Sequence, residues 1–215
     1  MTEIFSIVSQ FVIFLLIFSF PLTPKLLNNI IGSKQINFNL VETHSINIIF
    51  FIYFCLVCSF FNIDLKILFK IYLLLSLIFF VFNFKNYDFK IKKDNFLFFL
   101  FFSLITISIF FSIAQNLKLE WDGHHWIEKV LVFYNNEEIG NLKDVSTHPY
   151  YPHLGSYLWA FFWKNSFLEF EYFGRFFYVY FYIISIFLIL NALNLKNNTV
   201  KIFIILFLIL ITYDA

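Results

Sequence analysis

Long uncharged apolar runs, separated by short lysine-bearing connections, constrain this chain more than any other feature. Runs able to cross roughly 30 Å of hydrocarbon fall at residues 4–24, 46–63, 67–84, 96–114 and 176–193, and a sixth occupies 199–213. A chain of 215 residues that is 60% hydrophobic and 13% charged has too little polar material for six separate soluble layers. With mean hydropathy +0.79, it is expected to be an all-α integral membrane protein of about six transmembrane helices. Lys70 lies within the third run, close enough to one end for its stem to reach the interface, and the interior of the other runs carries no charge.

Lysines in the connections set the expected sidedness. Lys25 and Lys34 follow the first run, Lys85, Lys90, Lys92 and Lys93 the third, and Lys196 and Lys201 the fifth. If the spans alternate, these fall on one side, the cytoplasm, and residues 115–175 lie outside, as does the N-terminus. No Lys or Arg precedes the first run, so it reads as a retained span rather than a cleaved signal. The chain stops two residues after Tyr213 at the edge of an apolar run, which points to a fragment of a longer membrane protein. Three segments are expected: four spans in 1–114, an extracytoplasmic loop at 115–175, and two further spans in 176–215. The expected location is a bacterial inner membrane.

Net charge of +1 leaves no basic field for a nucleic-acid partner. Cys55 and Cys58, in C-L-V-C within an apolar run, read as packing thiols and not as a metal site or disulfide framework.

The polar chemistry collects in 115–175. This segment holds all four tryptophans, four of five histidines, eight of fourteen acidic residues and the only arginine. A connector of that length is normally functional. Two short surface helices are expected in it. The first starts after Asp122, with Trp126, Val130 and Phe133 sharing an apolar face with Ile127, Leu131 and Tyr134, while Glu128 and Lys129 lie off it. The second starts after Pro152, with Tyr157, Trp159 and Trp163 suited to the lipid headgroup level.

EWDGHHW, at 120–126, concentrates two carboxylates and two histidines at the start of the first helix, and His148 and His153 return in HPYYPH. Asp122 could serve as a helix cap. A carboxylate at an apolar interface is also partly desolvated, binds a proton more firmly, and can act as general base toward an acceptor hydroxyl. Glu120 or a histidine could orient the acceptor or hold a metal. Adjacent histidines on a helix point about 100° apart, which disfavours a tight zinc site; a loosely held divalent cation is the one cofactor these residues admit. Arg175, where the loop re-enters the membrane, reads equally as an interface anchor and as a phosphate clamp. The candidate catalytic residues are therefore Asp122 and Glu120, and the candidate substrate contacts are His124, His125, Lys129, His148, Tyr151, His153 and Arg175.

The run from Trp121 to Arg175, with its acidic motif Glu120-Trp121-Asp122, its turn Tyr151-Pro152-His153-Leu154 and its terminal Arg175, resembles the first extracytoplasmic loop of GT-C membrane glycosyltransferases. That superfamily includes the protein O-mannosyltransferases and the aminoarabinose transferases of lipid A. The resemblance implies transfer of a sugar from a polyprenyl-phosphate donor, with inversion, to a glycan, lipid or protein acceptor, Asp122 being the base. This chain differs from the family pattern in having Gly123 directly after the aspartate, His153 where a second proline is common, and three additional apolar segments before the loop. A transporter and a surface-polysaccharide polymerase or ligase are the competing readings. The spans carry almost none of the midplane ionisable groups that transport requires.

Overall fold

The computed structural model describes residues 5, 8–9, 12, 17–18, 40–83, 103–104, 121–146, 148–166, 170–193 and 197–213. Among them every regular element is helical. The elements are α1 (Leu40–Cys58), α2 (Leu65–Asn83), α3 (Trp121–Tyr134), a 3₁₀ turn (Ile139–Asn141), α4 (Leu142–Val145), α5 (Leu154–Lys164), α6 (Tyr172–Ala192) and α7 (Asn198–Tyr213). Residues 96–102 and 105–114 of the fourth expected span, and most of the first, lie outside the described residues.

Among the described residues, two helices are long and apolar enough to cross a membrane: α1, over Val41–Cys58, and α6, over Tyr172–Ala192. At 1.5 Å per residue their helices extend about 28 and 32 Å. α1 begins six residues before the apolar run itself, taking in Glu42, Thr43, His44 and Ser45. The extension holds because Thr43, His44, Ser45 and Asn47 turn toward protein and not lipid, each being buried. The Asn47 amide donates to the Phe18 carbonyl at 2.7 Å, and Ser45 donates back to Val41. Further along α1, Ile48, Phe51, Cys55 and Cys58 form the inward stripe, while Ile49, Phe50, Tyr53 and Val57 are exposed. Both cysteines are free and buried, as packing thiols should be.

α5 is the centre of the described fold. Ser156 through Phe162 are all buried, a run with no exposed face. α3 and α6 cover it most extensively, with α1 and α2 closing the remainder. The expected surface helix is thus a core helix: Tyr157 and Trp159 are buried against protein. An aromatic stack joins the elements. Phe162 lies flat on Phe177 of α6 at 4.9 Å, and Phe51 of α1 meets Tyr72, Phe161 and Phe162 at 4.9 to 5.5 Å. Phe18 adds contacts to Phe51 and Tyr180. Such ring pairs add to area burial and favour defined geometries.

α6 buries Phe173, Phe176, Phe177, Tyr180, Ile183, Ile184, Phe187 and Leu190, a helical stripe at three- and four-residue spacing. α7 lies along it, with the Tyr182 hydroxyl donating to the Leu208 carbonyl at 3.1 Å. The outward faces of α2 and α7 are apolar, with Ile67, Leu74, Leu77, Val81, Phe203 and Phe207 more than half exposed.

A polar knot ties the α1–α2 turn to the far ends of α3 and α5. Asp64 caps α2: its Oδ1 accepts from the backbone N–H groups of Lys66 at 2.8 Å and Ile67 at 3.1 Å. Its Oδ2 accepts from the Asn136 amide at 2.6 Å and lies 3.8 Å from the Lys164 ammonium. Asn136 can reach there because α3 ends on it in a left-handed turn, φ 59°. The Glu137 N–H bonds to Val132 and the Asn136 N–H to Phe133, the paired closure of a Schellman turn. Lys164 also donates to the Tyr134 carbonyl at 2.6 Å, and Asn165 donates to the Leu65 carbonyl at 3.2 Å. Partial burial pushes the Asp64 carboxyl up, but the hydrogen bonds from Ile67, Lys66 and Asn136, with the Lys164 charge, outweigh it and leave Asp64 below its ordinary range.

Candidate functional site

The first turns of α3 and the segment before α5 bring four of the sequence-derived candidates together. The His125 and His148 rings meet edge to face at 5.0 Å, and His148 stacks on Tyr151 at 4.9 Å. Tyr151 in turn lies 6.4 Å from Trp126. Beneath these rings sits Lys129, only 1% exposed. Its ammonium is 5.3 Å from the Trp126 ring and 5.4 Å from the Tyr151 ring, and donates to the Tyr151 carbonyl at 3.2 Å. The Ser156 hydroxyl ties α5 to this corner through the Trp126 carbonyl at 3.5 Å.

Lys129 corrects the sequence-based face assignment for α3. Its ammonium was expected off the apolar face; instead Lys129, Val130, Val132 and Phe133 are buried, and Leu131 is 41% exposed. The lysine can turn inward because two ring faces and a carbonyl replace part of its hydration. Among the described residues it has no ion pair. Burial pushes the ammonium below its usual range, since desolvation penalises the charged form.

Position 122 belongs to the first turn of α3, so the helix starts before Asp122 and not after it. On a helix of 3.6 residues per turn, positions 122, 125, 126 and 129 fall on one stripe, and 122 lies about 10 Å along the axis from 129. The Asp122 side chain and the whole of Glu120 lie outside the described residues. His124 is exposed, to one side of the cluster.

His153 joins a different neighbourhood. Its Nε2 is 2.9 Å from the Ser59 hydroxyl, and its ring packs against Phe60 and Phe133 at 5.6 and 5.9 Å. Ser59 also bonds to the Leu56 carbonyl at 2.7 Å; with its proton directed there, the histidine supplies the N–H of the shared bond. Burial first, and then the Lys129 charge, hold the imidazole below its ordinary range. Pro152 is exposed, two residues ahead of α5.

Arg175 is in the first turn of α6 and is committed locally. Its Nη2 donates to Glu171 Oε2 at 2.7 Å, one helical turn back, and the guanidinium lies 5.7 Å from the Trp159 ring. Trp159 Nε1 donates to the Glu171 carbonyl at 3.4 Å. Arg175 Nε and Glu171 Oε1 are buried without a hydrogen-bond partner. Burial pushes the Glu171 carboxyl up, and the Arg175 charge only partly offsets this. Glu171 was absent from the sequence-derived set, although its four-residue spacing from Arg175 was legible. The contacts that Asp64, Asn136, Lys164 and Ser59 make across the fold carried no sequence signal, because those partners are remote in the chain.

Among the described residues no group of three or more His, Cys, Asp or Glu side chains is placed to hold a metal ion. No known family model, curated protein or solved structure matches this chain.

Proposed function

We propose that this protein is a membrane glycosyltransferase that moves a sugar from a polyprenyl-phosphate donor to an acceptor hydroxyl at the extracytoplasmic face. Asp122 takes the proton of the acceptor hydroxyl as that oxygen attacks the anomeric carbon. The carbon–oxygen bond to the carrier breaks, and polyprenyl phosphate leaves with the bonding pair. The observation that carries this reading is the Lys129 ammonium, buried between two ring faces two helical turns from position 122, with no carboxylate partner among the described residues. A buried cation lacking an opposite charge favours an anion, and a departing phosphate is one that develops charge during the reaction. Tyr151, whose ring lies 5.4 Å from the ammonium, is itself 48% exposed. The Trp126, Tyr151 and His148 rings supply flat apolar faces of the kind that pack on sugars and isoprenoids.

The alternating arrangement of spans, with the 59–64 turn and residues 115–175 on one side, is supported by the contacts of Asp64 with Asn136 and Lys164 and of Ser59 with His153. The apolar outward faces of α2 and α7 suit lipid.

The test is a transfer assay in membranes supplied with polyprenyl-phosphate monosaccharides. Asp122→Asn is expected to abolish transfer at unchanged protein level. Lys129→Met, which keeps the buried volume, is expected to lower turnover at least tenfold, by analogy with loss of one oxyanion donor at about 10²-fold. Wild-type turnover by Asp122→Asn would remove the proposed base.

A further inference from the structure

A pair of imidazoles joins α3 to the connection between α4 and α5. His125 is on α3 and His148 on the connection, and both are partly open to water. Their ring centroids are 5.0 Å apart, with the ring planes inclined at 64°. The second ring is held from two directions. The His148 backbone N–H donates to Ser146 Oγ at 3.3 Å, and the imidazole stacks at 4.9 Å on Tyr151, whose carbonyl accepts from Lys129 of α3.

That separation suits a shared metal ion. With a metal–nitrogen bond of about 2.0–2.1 Å, the centroid of a ligating imidazole lies about 3.2 Å from the ion. Two such rings are then about 5.2 Å apart at a tetrahedral angle and about 4.5 Å apart at a right angle. The observed 5.0 Å falls between these, so the rings can share an ion by turning about their side-chain bonds, the backbone staying in place. His124 is exposed to one side, and His153 is bonded to Ser59, so the ion has two protein ligands among the described residues. A closed structural zinc site has four; two leave positions for water and an ion that exchanges. Charge then selects the metal. The Lys129 ammonium and the N-terminal end of α3 both oppose a second positive charge. Magnesium and calcium depend on charged oxygens to bind, whereas zinc and copper bond well to neutral imidazole nitrogen.

We propose that His125 and His148 form an exchangeable site for a divalent transition metal, zinc or copper, with water completing the coordination. A bound ion ties α3 to the segment that leads into α5. The site is independent of the glycosyltransferase reading, because its test measures metal binding and not transfer.

Isothermal titration of the full chain in detergent, prepared without a histidine tag, tests this with Zn²⁺ and Mg²⁺ as probes. Zn²⁺ is expected to bind and Mg²⁺ not. His125→Gln and His148→Gln are each expected to weaken Zn²⁺ binding about tenfold or more, and His124→Gln to leave it unchanged, with the same helical circular dichroism throughout. Saturating Zn²⁺ should raise the thermal midpoint of the unaltered chain and of neither weakened variant, since an ion that binds only the folded protein stabilises it by mass action. Cu²⁺ electron paramagnetic resonance on the unaltered chain gives a reading that needs no variant: coupling to two imidazole nitrogens is expected. No Zn²⁺ binding, equal binding of Mg²⁺, loss of binding in His124→Gln, undiminished binding in folded His148→Gln, or fewer than two nitrogens on copper would overturn the proposal.

Discussion

Gly174, in the first turn of α6, lies directly against α5, and it offers a direct test of how α5 is held. A Cβ added there would fall inside contact distance of the Trp159 carbonyl oxygen and indole Cδ1, and 3.0 Å from Trp163 Cβ. The indole can turn; the carbonyl oxygen belongs to the α5 backbone and cannot. Gly174→Ala therefore forces the two helices apart by about 1 Å, an overpacking that costs about 1–3 kcal/mol, here toward the upper end. Alanine recovers up to about 1 kcal/mol of helix propensity. The net expectation is a loss of about 2 kcal/mol. At roughly 2–4 °C per kcal/mol for a chain of this size, the thermal midpoint in detergent should fall by about 4–8 °C. Gly140→Ala is the control: nothing lies within 4 Å of its added Cβ, and its midpoint should move by less than the equivalent of about 0.5 kcal/mol. If Gly174→Ala melts at or above wild type while Gly140→Ala is neutral, the close approach of α5 to α6 is wrong.

The remaining structural predictions concern charge. His153 is held below its ordinary value of 6.5 by burial and by Lys129; its contribution is thus complete above that value and is lost as pH falls through the depressed one. The melting midpoint should drop between pH 8 and pH 5, and His153→Gln should flatten that drop, which circular dichroism melts at both pH values will show. Asp64→Ala removes a helix cap and leaves Lys164 and Asn136 without their shared carboxylate, an expected cost of about 2 kcal/mol. Combined with Lys164→Met, the losses should fall short of additive in a double-mutant cycle; strict additivity would show that the knot does not act as a unit.

Much of the helical layout was legible in the chain. The runs at 67–84, 176–193 and 199–213 each lie within four residues of α2, α6 and α7 at both ends, because nothing competes with a helix when about twenty apolar residues run together. The start of α1 was missed. Glu42, Thr43, His44 and Ser45 read as connection, and their burial depends on neighbours such as Phe18 that a local pattern does not contain. α5 was found, with its start near Pro152, but its setting was misjudged. Tyrosine and tryptophan suit a headgroup layer and a protein core equally well, and only packing distinguishes them. The same holds for Lys129, where the charge argued for water and two rings plus a carbonyl took its place. Of the candidate site, His125, Lys129, His148 and Tyr151 assemble, whereas His153 and Arg175 turn to Ser59 and Glu171. Histidine and arginine both bind whatever polar group is nearest, and sequence does not say which group that is.

Because residues 156–162 are covered on every side, α5 lacks the freedom to drift that a half-exposed helix keeps. An ordinary amphipathic helix can replace its watery half without consequence for its neighbours. Here a change of size at any of seven successive positions must be answered on α1, α2, α3 or α6. Variants of this protein should therefore diverge in pairs along this segment, one member within α5 and the other in whichever helix touches it. A library that mutates α5 alone should yield few folded members, while one that varies it together with its contacts should yield many.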